Sequence, residues 1–304
     1  MASEFESVGR RLKAHRLGLG LSADALAEQL GISRAAVYRI EAGTVVKVET
    51  LQRLTTVLET SLASLLGAGV EYYSHPVGYF ERMRQIEEQS DQVIAHFPPV
   101  SYLLTSDEYP HWLRKTLIES RPPYMSNRKT AEAEIDAVIA ILGERKKARK
   151  ERGLSVVNFV TLPEIERWLK LGVVGRFNLP ADEVAKRRQA ARYEIEYLIH
   201  LVESEPMGVQ IGLIEATLPN LTFQLFRTAG GTLLGLSPYR LGGELPNVSI
   251  GVAMMTADRE PVRMYEQLTN DLWKRAQTGR NAVALLRAVI ARSGIEPGRV
   301  RRAS

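Results

Sequence analysis

The sequence contains no cysteine. That excludes a disulfide framework, a cysteine-ligated zinc finger, an iron–sulfur centre and a cysteine nucleophile, and it suits a reducing compartment. Long apolar runs are missing as well. No stretch reaches the roughly 18–20 residues that a membrane helix needs, and the opening MASEFESVGRR has no apolar signal core. The expectation is a cytoplasmic protein with no membrane partner. HExxH, GxSxG and GxxxxGK[ST] are all absent, and His75 and His111 lack metal-ligand spacing. The chain is therefore expected not to be an enzyme and to hold neither metal nor cofactor. What remains is an ordinary globular composition: 304 residues, 45% hydrophobic and 25% charged, enough for about two domains. The net charge of +5 fits an anionic partner.

Periodicity divides residues 1–69 into short helices. Phe5, Val8 and Leu12 recur at helical spacing and predict a helix over Glu4–Leu17. Gly18 and Gly20 break it. Ser22 then caps SADALAEQL, whose Leu26, Ala27 and Leu30 share a face, and Gly31 supplies a tight C-terminal turn. Ser33 caps a third helix, SRAAVYRIEAG, which closes at Gly43. Lys47–Leu58 and SLASLLG complete the set. Two helices joined by a four-residue turn with glycine are a helix-turn-helix. In that arrangement one helix crosses the DNA backbone and the next sets its N-terminal side chains against base edges in the major groove. Val37 and Ile40 face the core in this reading, leaving Arg34, Ala35, Tyr38 and Arg39 outward.

Residues 8–67 resemble the Cro/CI-type, or xenobiotic-response-element, helix-turn-helix regulators. The matching text is Arg16 with Gly20-Leu21-Ser22, Leu26-Ala27-Glu28, Leu30 through Arg34, Val37 through Glu41, Gly43, Glu49-Thr50-Leu51 and Leu65-Leu66-Gly67, in order and spacing. The resemblance implies a structural salt bridge between Arg16 and Glu41, and base-contacting positions at Arg34, Ala35 and Arg39. An arginine can give two hydrogen bonds to guanine, and an alanine can meet a thymine methyl. Ser33, Tyr38, Thr44 and Lys47 are expected at phosphates, which position without reading. One departure is Ala23, where many members carry a phosphate-bonding glutamine. Such proteins bind two half-sites as dimers, so the expected partners are a pseudo-palindromic double-stranded DNA and a second copy of the chain.

Beyond residue 69 the pattern changes. Residues 70–98 read as a linker and a connecting helix (Val77–Ile94) stopped by Pro98-Pro99. Residues 99–296 read as an α/β domain with a mixed sheet, and 297–304 as a basic tail. Predicted helices run from about Pro110, over Thr130–Arg152, Leu162–Leu171, Ala181–Glu203, Arg259–Gln277 and Asn281–Ser293. Predicted strands cover SVVNFVT (155–161) and segments 209–215, 221–227, 231–237 and 247–255. The glycines of RTAGG (227–231) read as a hairpin turn, against an acyl-CoA pyrophosphate loop. The run ERKKARKER (144–152), with six basic and two acidic residues, reads as a solvated helix face, or else as an extra phosphate contact. LLTSDEY (103–109), Gln189–Glu205 with Val209-Gln210-Ile211, and Tyr265 through Ala276 loosely resemble the uncharacterised domain that follows helix-turn-helix modules in many bacterial regulators.

Aromatics gather between Tyr72 and Tyr124. Aromatics line pockets, so Tyr109 and Trp112 are the candidates for a small-molecule effector pocket. The whole is an all-α five-helix head followed by an α/β domain. The function expected is a dimeric, sequence-specific DNA-binding transcription regulator, a repressor with a sensing or dimerisation domain. The alternatives are an antitoxin whose large domain masks a toxin, and an enzyme such as an acyltransferase with a DNA-binding head.

Overall fold

The computed structural model describes residues 4–44, 47–122, 128–216, 218 and 221–295. Among these, twelve α-helices and a seven-stranded sheet form the molecule. The predicted tail at 297–304 lies outside them.

Five helices make the head: α1 (Glu4–Gly18), α2 (Ala23–Leu30), α3 (Arg34–Glu41), α4 (Val48–Val57) and α5 (Leu62–Leu66). Their ends follow from local chemistry. The Ser22, Ser33 and Ser61 hydroxyls accept from the amides of Ala25, Ala36 and Ser64 at 3.0, 3.2 and 3.0 Å, each satisfying a donor the helix leaves open. Gly31 ends α2 in the left-handed region at φ 63°. Leu12, Leu26, Leu30, Val37, Leu54 and Leu65 close a separate small core. Ala23 belongs to that core as well.

The sheet runs β1 (Val70–Tyr73), β7 (Ala253–Thr256), β6 (Gly231–Ser237), β5 (Thr222–Thr228), β2 (Ser90–His96), β3 (Ser155–Thr161), β4 (Val209–Ile214). β2, β3 and β4 are parallel and the remaining pairs antiparallel. Parallel neighbours need crossovers. α7 (Tyr109–Ser120) and α8 (Arg128–Arg152) supply the first, α9 (Leu162–Leu171) and α10 (Ala181–Ser204) the second. Alternation along β2 separates two cores. Val93 and Ala95 pack with α6 (Pro76–Glu87), α8, α10 and α12 (Gly279–Arg292), whereas Ile94 packs with Val262 and Leu272 of α11 (Arg259–Arg275). The glycine turn after Thr228 is the β5–β6 hairpin, with Thr228 opposite Gly231.

Three expectations are corrected. Residues 70–98 are not a linker, because they place β1 at one edge of the sheet and β2 inside it. The expected helix through Ile94 stops at Glu87, where the Ser90 hydroxyl returns to the Ile86 carbonyl at 2.8 Å; the apolar run that follows is a strand covered on both faces. Of 247–255 only the end is strand. The Asn247 side chain accepts from the Ser249 and Ile250 amides at 3.1 and 3.0 Å, a local turn that competes with the ladder.

The head is fastened to the sheet domain along α1 and α6. A Cβ at Gly78 would lie 3.0 Å from the Ala14 carbonyl oxygen and 3.4 Å from Gly18 Cα, so the two helices approach as closely as glycine allows. Beside that crossing Glu71 is 5% exposed at its side chain. It accepts from Arg11 at 2.6 Å, from Arg82 at 2.8 and 3.0 Å, and from the Tyr73 hydroxyl at 2.8 Å. Burial alone would raise its pKa, but Arg82 and Arg11 outweigh burial and hold it down at about 2. His15 of α1 stacks on Tyr73 with ring centroids 4.7 Å apart. Burial pushes His15 down to about 4, with Arg82 and Arg11 acting the same way against Glu71.

Candidate nucleic-acid interface

α3 presents one face to the head core and the other to solvent. Val37 is 1% exposed and Ile40 packs partly against the same core. Ser33, Arg34, Ala35, Tyr38 and Arg39 are exposed, and Thr44 and Lys47 are exposed just beyond the helix. The arrangement puts two exposed arginines five residues apart on one short helix, with a small residue between them.

The end of α3 is fixed from behind. Arg16 Nε and Nη2 donate to the two Glu41 carboxylate oxygens at 2.6 and 3.2 Å, and Nη1 donates to the Leu21 carbonyl at 2.7 Å. Both side chains are 7% exposed. One arginine therefore ties α1, the start of α2 and the end of α3. A Cβ at Gly9 would fall 2.4 Å from the Glu41 carbonyl oxygen, so α1 can press directly on that end only as glycine. Arg53 of α4 donates to the Leu30 carbonyl, one of the orphan acceptors at the end of α2.

The two outward arginines differ. Arg34 Nη2 donates to the Tyr38 hydroxyl at 3.1 Å, its guanidinium lies 5.4 Å from the Tyr38 ring centroid, and Asp24 of α2 sits 3.4 Å from Nη1. The Tyr38 hydrogen bond and then Asp24 raise its pKa above the ordinary arginine value. Arg39 has no ion pair among the described residues. Asp24 is the neighbour that sequence reasoning overlooked. It lies ten residues away in sequence, and only the crossing of α2 on α3 brings it to Arg34.

Tyr109 lies in the core and Trp112 at its edge. Tyr109 is 2% exposed, its hydroxyl donates to the Leu241 carbonyl at 2.7 Å, and its ring meets Trp168 edge-on. Trp112 packs partly against the same core, with Lys115 and Arg187 over its ring. Tyr109 fills core space, as large aromatics do, and Trp112 covers that core from outside. A cavity of about 320 Å³ lies elsewhere, among Leu169, Lys170, Arg188 and Val289. No helix among the described residues is long and apolar enough to cross a membrane.

Residues 12–65 match the family model described as Helix-turn-helix. No curated protein and no solved structure matches the chain. The matched span begins inside α1 and ends inside α5, enclosing the α2–turn–α3 unit and the Arg16–Glu41 tie. Residues 12–65 are a helix-turn-helix domain of the Cro/CI type, and such a domain implies DNA binding.

Proposed function

We propose that the protein is a sequence-specific transcription regulator, a repressor, that binds a pseudo-palindromic operator as a homodimer in the cytoplasm. The observation that carries this reading is the outer face of α3, where Arg34, Ala35 and Arg39 are exposed while Arg16 and Glu41 lock the helix from behind. In the major groove Arg34 and Arg39 take guanine O6 and N7, and Ala35 meets a thymine methyl. Ser33, Tyr38, Thr44 and Lys47 rest on phosphates. On DNA, Arg34 leaves Asp24 and Tyr38 for the base edge. The sheet domain carries dimerisation and the sensing of a small-molecule effector. The reading is of a binding protein, with no catalytic step.

Pull-down of genomic fragments with purified protein tests it, run beside an Arg34→Ala/Arg39→Ala variant. The expected result is a small set of fragments sharing a palindrome, absent from the variant. Enrichment of nothing, or of the same fragments by both proteins, would contradict it.

A further inference from the structure

The sheet ends at β4, whose outer edge is only partly closed. The Val156 N–H donates to the Gly208 carbonyl at 2.7 Å. Gly208, Gln210 and Gly212 therefore turn their backbone groups toward β3, and the residues between them turn theirs outward. Leu213 belongs to the outward set: it exchanges both backbone hydrogen bonds with Gln277, at 2.9 and 2.8 Å. Gln277 thus begins an eighth strand, antiparallel to β4. The next pair in that register belongs to Ile211. The chain does not make it, because at Gly279 it turns through the left-handed region, φ 52°, and enters α12.

Ile211 is left with its N–H and C=O aimed out of the sheet, and no described residue meets them. The Val209 carbonyl is in the same position; only its N–H is taken, by the Pro206 carbonyl at 3.0 Å. An ordinary edge strand gives such groups to water. This edge is walled. Ile211 is 7% exposed, and with Val209 it lines a cavity of about 330 Å³. Leu201 and Val202 of α10 line one side of it and Trp273 of α11 the other. Gly212 lets Trp273 in: a Cβ there would lie 3.3 Å from the indole ring and 2.9 Å from the Ala276 Cβ. Phe159 meets the same indole edge-on at 6.2 Å. Glu205, at the end of α10 beside Val209, lines the cavity as well; it is exposed and has no ion pair among the described residues. Buried backbone donors and acceptors are almost always paired in folded proteins, so the open groups of Ile211 call for a partner.

We propose that this slot binds a short extended peptide, which completes the strand that Gln277 begins. One peptide residue exchanges both backbone hydrogen bonds with Ile211, and the N–H two residues further on donates to the Val209 carbonyl. Alternation then sets the side chains. The first, on the side of the Ile211 side chain, meets Leu201 and Val202 and is apolar. The second lies on the opposite face, against Trp273, and is apolar too. The third returns to the side of α10, where Glu205 selects a lysine or arginine. Backbone pairing supplies affinity and the alternate side chains supply specificity, as in other edge-strand recognition. As the sensing site of the regulator this rests on the function proposed above; as a peptide-binding site it does not.

The test is equilibrium dialysis of the full chain, without DNA, against a millimolar pool of acetylated and amidated tripeptides. The pool carries apolar residues at the first two places and lysine, serine or glutamate at the third, and retained peptides are read by mass spectrometry. The expected result is retention of a subset ending in lysine. N-methylation of the first or third residue of the best peptide removes a donor to β4 and should weaken binding at least about tenfold; N-methylation of the second, whose N–H points away, should cost less than about threefold. Glu205→Lys, an exposed change outside the core, should switch the retained subset to peptides ending in glutamate. Retention of no peptide, equal losses at all three N-methyl positions, or an unchanged third-residue preference in Glu205→Lys would overturn the proposal. DNA plays no part in the readout, so failure here leaves the regulator reading standing.

Discussion

Arginine does opposite work in two regions of this molecule. On the outer face of α3, Arg34 and Arg39 stand in solvent, and the contacts Arg34 makes there, to Tyr38 and Asp24, are exposed ones. At the seam between α1 and α6, Arg11 and Arg82 converge on one buried carboxylate, Glu71. A buried charge that loses its partner is far more damaging than an exposed one, which water and salt already screen. Stability therefore resides at the seam, and the face is left for the recognition proposed for it. The seam also sets where the face points. With Gly78 against Ala14 and Gly18, and β1 following α5 directly into the sheet, the head is an extension of the α/β domain rather than a bead on a string.

The strongest way to break this comparison is at Glu71. Glu71→Ala strands the buried Arg82 guanidinium and takes a partner from the half-buried Arg11, and should lower the unfolding free energy by about 3–5 kcal/mol, measured by urea denaturation. Arg34→Ala should stay within about 0.5 kcal/mol of the wild type in the same assay. If the two cost the same, the division of labour is wrong.

Acid should sharpen it next. His15 titrates at about 4 in the folded seam, below its ordinary value near 6.5. Above pH 6.5 both folded and unfolded forms are neutral and the residue contributes no pH dependence. Between 6.5 and about 4 the unfolded chain takes up the proton first, so stability falls with pH, by up to about 3 kcal/mol. Glu71 adds a second loss only below about 4.5, as pH falls toward its folded value near 2. Stability curves for the wild type and His15→Phe should diverge in slope over the upper window; parallel curves would remove His15 from the account.

At the face, Arg34→Ala and Arg39→Ala should each cost about 1–3 kcal/mol of operator binding and relax base preference at the position lost, read by titration against single-base operator variants. The smallest effect is expected at Asp24. Asp24→Ala removes an anion that both repels phosphate and holds Arg34, so affinity for any duplex should rise slightly, by less than about 1 kcal/mol. A weaker affinity would mean that Asp24 positions Arg34 for the base.

The head was legible because its signals are local. Serine caps, a glycine stop and leucines at helical spacing act within a few residues, and they set the α2–turn–α3 geometry unaided. The sheet was only partly legible. The strand β2 hides in VIAHF, a short apolar run that follows a helix and shows no alternation, since both faces are covered; such a run cannot be told from the end of a helix by its period. β1 hides for a different reason: Glu71 in a strand reads as solvent-facing until Arg11 and Arg82, one on each side in sequence, are brought to it. The same limit blurred ERKKARKER, where Glu144, Lys147, Lys150 and Glu151 are solvated as read but Arg145 and Lys146 are buried with their acceptors in Glu87, Ser106 and Asp107. Charge counted along a chain shows quantity; only the fold shows which charges are spent. Tyr109 was hard to place for a related reason, because an aromatic cluster in sequence does not tell a core from a pocket, and this ring lies in the core.

The most direct test of the central claim is a competition titration by fluorescence anisotropy. The wild type and Arg34→Ala/Arg39→Ala are compared on the selected operator and on scrambled DNA at one salt concentration. The account predicts that the variant loses most of its operator affinity, keeps most of its affinity for scrambled DNA, and unfolds at the wild-type urea midpoint. Equal losses on both DNAs, or a lowered midpoint, would contradict it.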